Sequence, residues 1–153
     1  MKRTLYLFAA MVCACACACV ARGAGTGSVS VAVVDLGRID VYTYTWACPT
    51  NSADVSGTPN LWVRGEIARV VFPATSSPSN NYDVTIHDEQ DVDLLGGQGS
   101  NIATASVVNV CGGVECSDGG ATNMIPFAVN NRLTINVQNA TSSGTGTIIL
   151  YIK

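Results

Sequence analysis

The residues best equipped for chemistry sit close together. Asp83, Asp88, Glu89, Asp91 and Asp93 fall within eleven positions, and His87, the single histidine of the chain, lies among them. Oxygen-rich acidic loops bind calcium, which makes Asp88, Glu89, Asp91 and Asp93 candidate metal ligands. Their spacing is not that of an EF-hand loop, because no glycine stands sixth from Asp88 and no glutamate twelfth. A solvated hairpin accounts for the same residues. Tyr82 to His87 would run up, Asp88-Glu89-Gln90 would turn, and Asp91 to Leu95 would run back, since a turn needs polar residues tolerant of its dihedrals. A histidine beside a carboxylate can begin a catalytic relay. No Gly-x-Ser-x-Gly motif accompanies it, and Cys48 has no second histidine to activate it. Two carboxylates can hydrolyse glycosides across a cleft, but these share one turn. The chain therefore reads as non-enzymatic and without a cofactor.

A second set is aromatic. Tyr42, Tyr44 and Trp46 alternate, so one face of a single strand carries all three. Exposed, they would form a platform on which sugars stack. Buried, they would be the core face of that strand, with Thr43 and Thr45 outside, and large aromatics favour sandwich interiors. Trp62 is likewise expected in the core.

Seven cysteines form two groups. Cys13, Cys15, Cys17 and Cys19 alternate with other small apolar residues inside an uncharged run from Thr4 to Val20 that follows Lys2 and Arg3. Charged start, apolar middle and small residues around Gly23 and Ala24 make the layout of a secretory signal peptide. The run also approaches the ~20 residues that span a bilayer, so an uncleaved anchor fits residues 4–20 as well. Residues 1–24 are thus expected to be a leader, an anchor or an interaction arm, and 25–153 the folded domain. Cys48, Cys111 and Cys116 remain. Cys111-Gly-Gly-Val-Glu-Cys116 could close a short disulfide loop, since its glycines let the chain turn back.

Composition narrows the classes further. The chain has 153 residues, 48 % apolar and 12 % charged, which excludes a charged disordered tail. Beyond residue 24, five basic residues face eleven acidic ones, a net charge of −6. That discourages nucleic acid, which needs clustered Lys and Arg.

The elements that must position these groups are strands. Apolar residues recur with period two, not 3.6. Candidates are Ser28 to Val34, Val41 to Trp46, Leu61 to Phe72 with Gly65 inside, which suggests a bulge or bend, Tyr82 to His87, Ile102 to Val110, Met124 to Val129 and Leu133 to Val137. Thr147 to Lys153 closes the chain and is apolar on both faces, as a central strand should be. Turn-rich clusters separate them. The expectation is all-β: a single antiparallel β-sandwich, jelly-roll-like, of about eight or nine strands.

From Arg69 onward a set of short motifs occurs in order: Val70-Val-Phe-Pro73, Ser76 to Asn80, Asn81-Tyr-Asp-Val-Thr85, Asp88-Glu89, Asp91-Val-Asp-Leu-Leu95 and Gly96-Gly-Gln-Gly99. Leu133-Thr-Ile-Asn-Val137, Asn139-Ala140 and Leu150-Tyr-Ile-Lys153 follow. This order resembles small bacteriophage virion-associated proteins, over residues 69–153. The resemblance implies a β-sandwich subunit that decorates a capsid or sits in a tail and contacts copies of itself or a shell lattice. The N-terminal run and the Cys111–Cys116 loop stand outside it. A secreted or surface-attached binding module or fibre subunit, possible for glycans, is the alternative, and the location is accordingly the virion or the secreted and periplasmic space.

Overall fold

The computed structural model describes residues 21–22, 27–110, 114–118, 121–125 and 127–153, with side chains over 27–110 and 127–153. These residues form twelve strands: β1 (Ala21–Arg22), β2 (Ser28–Asp35), β3 (Asp40–Ala47), β4 (Val55–Gly57), β5 (Trp62–Phe72), β6 (Asp83–His87), β7 (Val108–Val110), β8 (Val114–Asp118), β9 (Ala121–Ile125), β10 (Ala128–Arg132), β11 (Thr134–Gln138) and β12 (Thr145–Ile152). Nine of them have five or more residues, and all the paired strands run antiparallel. The all-β sandwich read from the period-two pattern is the observed architecture.

The larger sheet runs β1-β2-β3-β12-β5-β10, with β7 also on β5; the smaller runs β4-β11-β6. The last strand, β12, therefore lies between β3 and β5, and the one before it, β11, lies between β4 and β6. This interleaving of early and late strands in two facing sheets is the jelly-roll order. β2 is an extra strand on the outer side of β3. Strands β8 and β9 form a separate hairpin.

Period two builds the core directly. Val29 and Val31 of β2, Tyr42, Tyr44 and Trp46 of β3, and Ile148, Leu150 and Ile152 of β12 point one way and are buried. They meet Val55 of β4, Val84 and Ile86 of β6, and Ile135 and Val137 of β11 from the other sheet. β5 breaks the period. Val63 and Ile67 are buried at odd positions, Val70 and Phe72 at even ones. The ladder to β12 shifts register in between, where Tyr151 faces Arg69 but Ile152 faces Ile67. One extra residue turns both halves of β5 inward. Gly65 has φ 128°, and a Cβ there would stand 2.6 Å from the Lys153 carbonyl oxygen, but its register with β10 is unbroken, so the bulge lies at Ala68 and not at this glycine.

Several expectations are corrected. Of Ile102 to Val110 only Val108–Val110 is a strand, and Met124 to Val129 divides between β9 and β10. Asp91 to Leu95 does not return as a strand. Asp93 bridges His87, and the chain then curls through turns to Ile102, which bridges Tyr82. Gly96 and Gly97 both have positive φ, which a continuing strand does not accommodate. In addition, β4 lies inside a segment read as a turn cluster. Its single buried apolar residue, Val55, leaves almost no periodic signal.

Candidate functional site

The aromatic stripe is interior. Tyr42, Tyr44 and Trp46 are 5 %, 1 % and 0 % exposed, so they offer sugars no platform. Trp46 packs on Tyr82 at 5.3 Å between ring centroids, which ties the larger sheet to the smaller. Burial raises the pKa of the Tyr44 phenol and pushes that of Tyr82 up to about 12. Tyr42 is raised too, by burial and then by Asp40, against a hydrogen bond with the Arg64 backbone. Trp62, expected in the core, is half exposed, because it alternates with the fully buried Val63 and so shares the outer face of β5 with Arg64.

The acidic turn does not gather into a metal centre. Among the described residues no three His, Cys, Asp or Glu side chains are placed to hold an ion. The reason is where the oxygens point. Asp88 Oδ1 accepts the amides of Gln90 and Val92, both at 2.9 Å. Asp93 Oδ1 accepts those of Ile86 and Leu95, and its Oδ2 accepts that of Gly97. Asp91 Oδ1 accepts from His87 Nδ1 at 2.5 Å, and Glu89 faces Arg132 at 3.6 Å. Each carboxylate closes a turn or an ion pair, which is what the curled segment after β6 requires of it. Asp83 does the same, accepting the Asn101 amide and the Asn139 side-chain amide.

Cys48 is a free, buried thiol whose pKa is raised by burial and then by Asp54. Cys111 lies outside the described residues. Cys116 lies in β8 with its backbone opposite Asn123, so the proposed pairing falls outside what is described. The run 4–20 is also outside it, while Ala21 and Arg22, expected in the leader, pair with Val29 and Ser28 of β2. No helix among the described residues is long and apolar enough to cross a membrane. A depression of about 270 Å³ lined by Ser52, Asp54, Ser56 and Asn136 carries no nucleophile–base pair.

What remains is a surface. The jelly-roll order brings the β2–β3 turn, the β4–β5 connection, the turn after β6 and the β10–β11 junction to one end of the sandwich. There Asp35 faces Asp40, Asp40 faces Ile152, His87 faces Thr134, and Arg132 faces Trp62. The large hydrophobic residues exposed among those described are Val33, Val34, Leu36, Ile39, Trp62, Val92 and Val107, and all but Val107 lie at this end. Charges of both signs rim them: Asp35, Arg38, Asp40, Arg64, Lys153 paired with Glu66 at 3.2 Å, and Arg132 with Glu89. Beyond Val31 and before Tyr42 the β2–β3 hairpin has left the core and projects as an arm. The sequence signal for the arm is the change in Ser28 to Val34 from alternating to continuous apolar, followed by the two-residue Gly37-Arg38 turn. For Trp62 the signal is parity: it stands on the face of Arg64 and alternates with the buried Val63.

Comparison with protein-family models, curated proteins and solved structures found no match to this chain.

Proposed function

We propose that the chain is a non-enzymatic structural subunit, a phage virion accessory protein of the capsid-decoration or tail type. It acts through contacts with copies of itself and with a capsid or tail lattice. The observation that carries this reading is the arm end, where six of the seven large hydrophobics exposed among the described residues lie together with charges of both signs. Apolar patches rimmed by polar groups mark protein partners. The ordered motifs over residues 69–153 support the same reading. Basic residues are few, and Arg132 and Lys153 are spent on carboxylates, which argues against a nucleic-acid partner.

The layout of residues 1–24 favours a second reading, a secreted or surface-attached module or fibre subunit that adds strands edge to edge. The burial of Tyr42, Tyr44 and Trp46 removes its glycan platform. Intact mass of the native protein, taken from particle and culture-medium fractions, tests the choice. The full 15.9 kDa in particles is the expected result. A species in the medium lighter by ~2.5 kDa, the size of a removed leader, overturns it for the second reading.

A further inference from the structure

We infer that β2 is a docking edge for a second copy of this chain, the two β2 strands pairing antiparallel about a two-fold axis at Val33. The inference rests on the reading of the protein as a self-assembling subunit and names the surface and the bonding. Among the described residues, the outer edge of β2 meets β1 only at Ser28 and Val29, and from Ser30 onward it pairs with nothing. It is a long edge without the usual guards: Ser30 to Asp35 contains no lysine, arginine, proline or bulge. β10, by comparison, is shorter and carries Arg132.

The phase of the ladder selects the axis. The Leu36 amide donates to the Ile39 carbonyl at 3.0 Å, so Leu36 and Ile39 are a hydrogen-bonded pair. Alternation along an antiparallel pair then turns the backbone groups of even-numbered β2 residues toward β3. Those of Val31, Val33 and Asp35 point away from it. A two-fold axis normal to the sheet keeps each side chain on its own face, so it must pass through a residue. At Val33 it sets Val33 against its own copy and Val31 against Asp35. All three outward donors and acceptors are then used in each copy, about six bonds in total. An axis at Ala32 would leave Asp35 facing Val29, which β1 already occupies.

The side chains fit the same axis. Val34 meets Ala32 of the other copy on the outer face, and Val33 meets Val33 on the other, removing apolar surface that is now exposed. The two Asp35 carboxylates stand four residues apart along the seam, about 14 Å. That exceeds a Debye length of about 8 Å, so like charge does not oppose the pairing. The contact is isologous and closes as a dimer, which a lattice can then use as its unit.

Sedimentation of the full chain in reducing buffer tests this, with Val33→Pro as the variant. Val33 donates outward, so proline there removes the seam bond and leaves the bonds to β3 intact. A concentration-dependent dimer in the wild type, weakened about 30-fold or more in Val33→Pro by loss of two seam bonds, is expected. If Val33→Pro does not fold, Val34→Lys replaces it. Its two ammonium groups would stand about 7 Å apart along the seam, weakening the dimer several-fold in low salt and less in high salt. An oligomer unchanged by either variant overturns the β2 seam and leaves self-assembly standing on another surface. A monomer at every concentration overturns the self-assembly reading, and the seam with it. A monomer whose Val31, Val33 and Asp35 amides resist hydrogen exchange also overturns the seam, because the chain's own N-terminal run would then fill the edge.

Discussion

At the residue scale, Trp46 joins the two layers. It is fully buried, packs against Tyr82 with the rings tilted by 56°, and has Gly146 directly across the ladder. Its indole N–H finds no acceptor among the described residues, so packing is what holds it. A Cβ at Gly146 would stand 2.5 Å from Trp46 Cζ2. Gly146→Ala is therefore expected to cost about 1–3 kcal/mol through overpacking, and Trp46→Ala about 3–5 kcal/mol through the cavity it leaves, both read by urea unfolding. The tyrosines set a limit in alkali. With the Tyr82 pKa raised from 10.0 to about 12 and that of Tyr44 raised further in direction, the folded chain holds these protons more tightly than the unfolded one. Their contribution to stability is complete below pH 10 and is lost as pH rises toward 12. Thermal melting at successive pH values should fall over that interval, and the phenolate absorbance should rise together with unfolding. A melting temperature flat from pH 9 to 12 contradicts this.

At the element scale, two segments depart from simple alternation, and each has a local cause. The bulge in β5 lets Val63 and Ile67 share a core with Val70 and Phe72. The curled stretch after β6 stands where a return strand would be, and Asp93 organises it by accepting three backbone amides. Removing that carboxylate leaves those donors unpaired around the buried Leu94 and Leu95. Asp93→Ala should cost about 1–3 kcal/mol, with the loss of hydrogen-exchange protection concentrated at Leu95 and Gly97. Asp91, at φ 63°, is better tested by asparagine, which tolerates that backbone: Asp91→Asn removes only the charge that an exposed side chain turns to His87 and should change stability by less than about 0.5 kcal/mol. Equal effects from the two substitutions would show that Asp93 has no organising role.

At the scale of the whole molecule, the jelly-roll order collects the exposed apolar side chains at one end, and the arm formed by β2 and β3 carries four of them. Leu36→Ser combined with Ile39→Ser alters only surface already in contact with water. The melting temperature should therefore stay within a few degrees of the wild type, while association with copies or with a lattice weakens at least tenfold. Light scattering against concentration reads the second effect and calorimetry the first. A large drop in melting temperature would place Leu36 and Ile39 in the folding core, and unchanged association would remove the arm from the interface.

Much of the architecture was legible in the residues alone, because a strand with one buried face must alternate and β3, β6, β11 and the first half of β2 do so. The central place of β12 was legible for a related reason: a strand with neighbours on both edges and a covered face is apolar on both sides. The acidic turn after β6 was readable as a turn, since its residues suit the dihedrals wherever the chain reverses. The faces of the aromatics follow the same alternation: Tyr42, Tyr44 and Trp46 share one face and are interior, whereas Trp62 alternates with the buried Val63, stands on the face of Arg64 and is half exposed. The arm end was not legible. Its apolar residues are scattered from Val33 to Val92 and come to one end only when early and late strands interleave. Local alternation is written in neighbouring residues, whereas coverage and juxtaposition depend on contacts between segments far apart in the chain, and only the tertiary structure decides them.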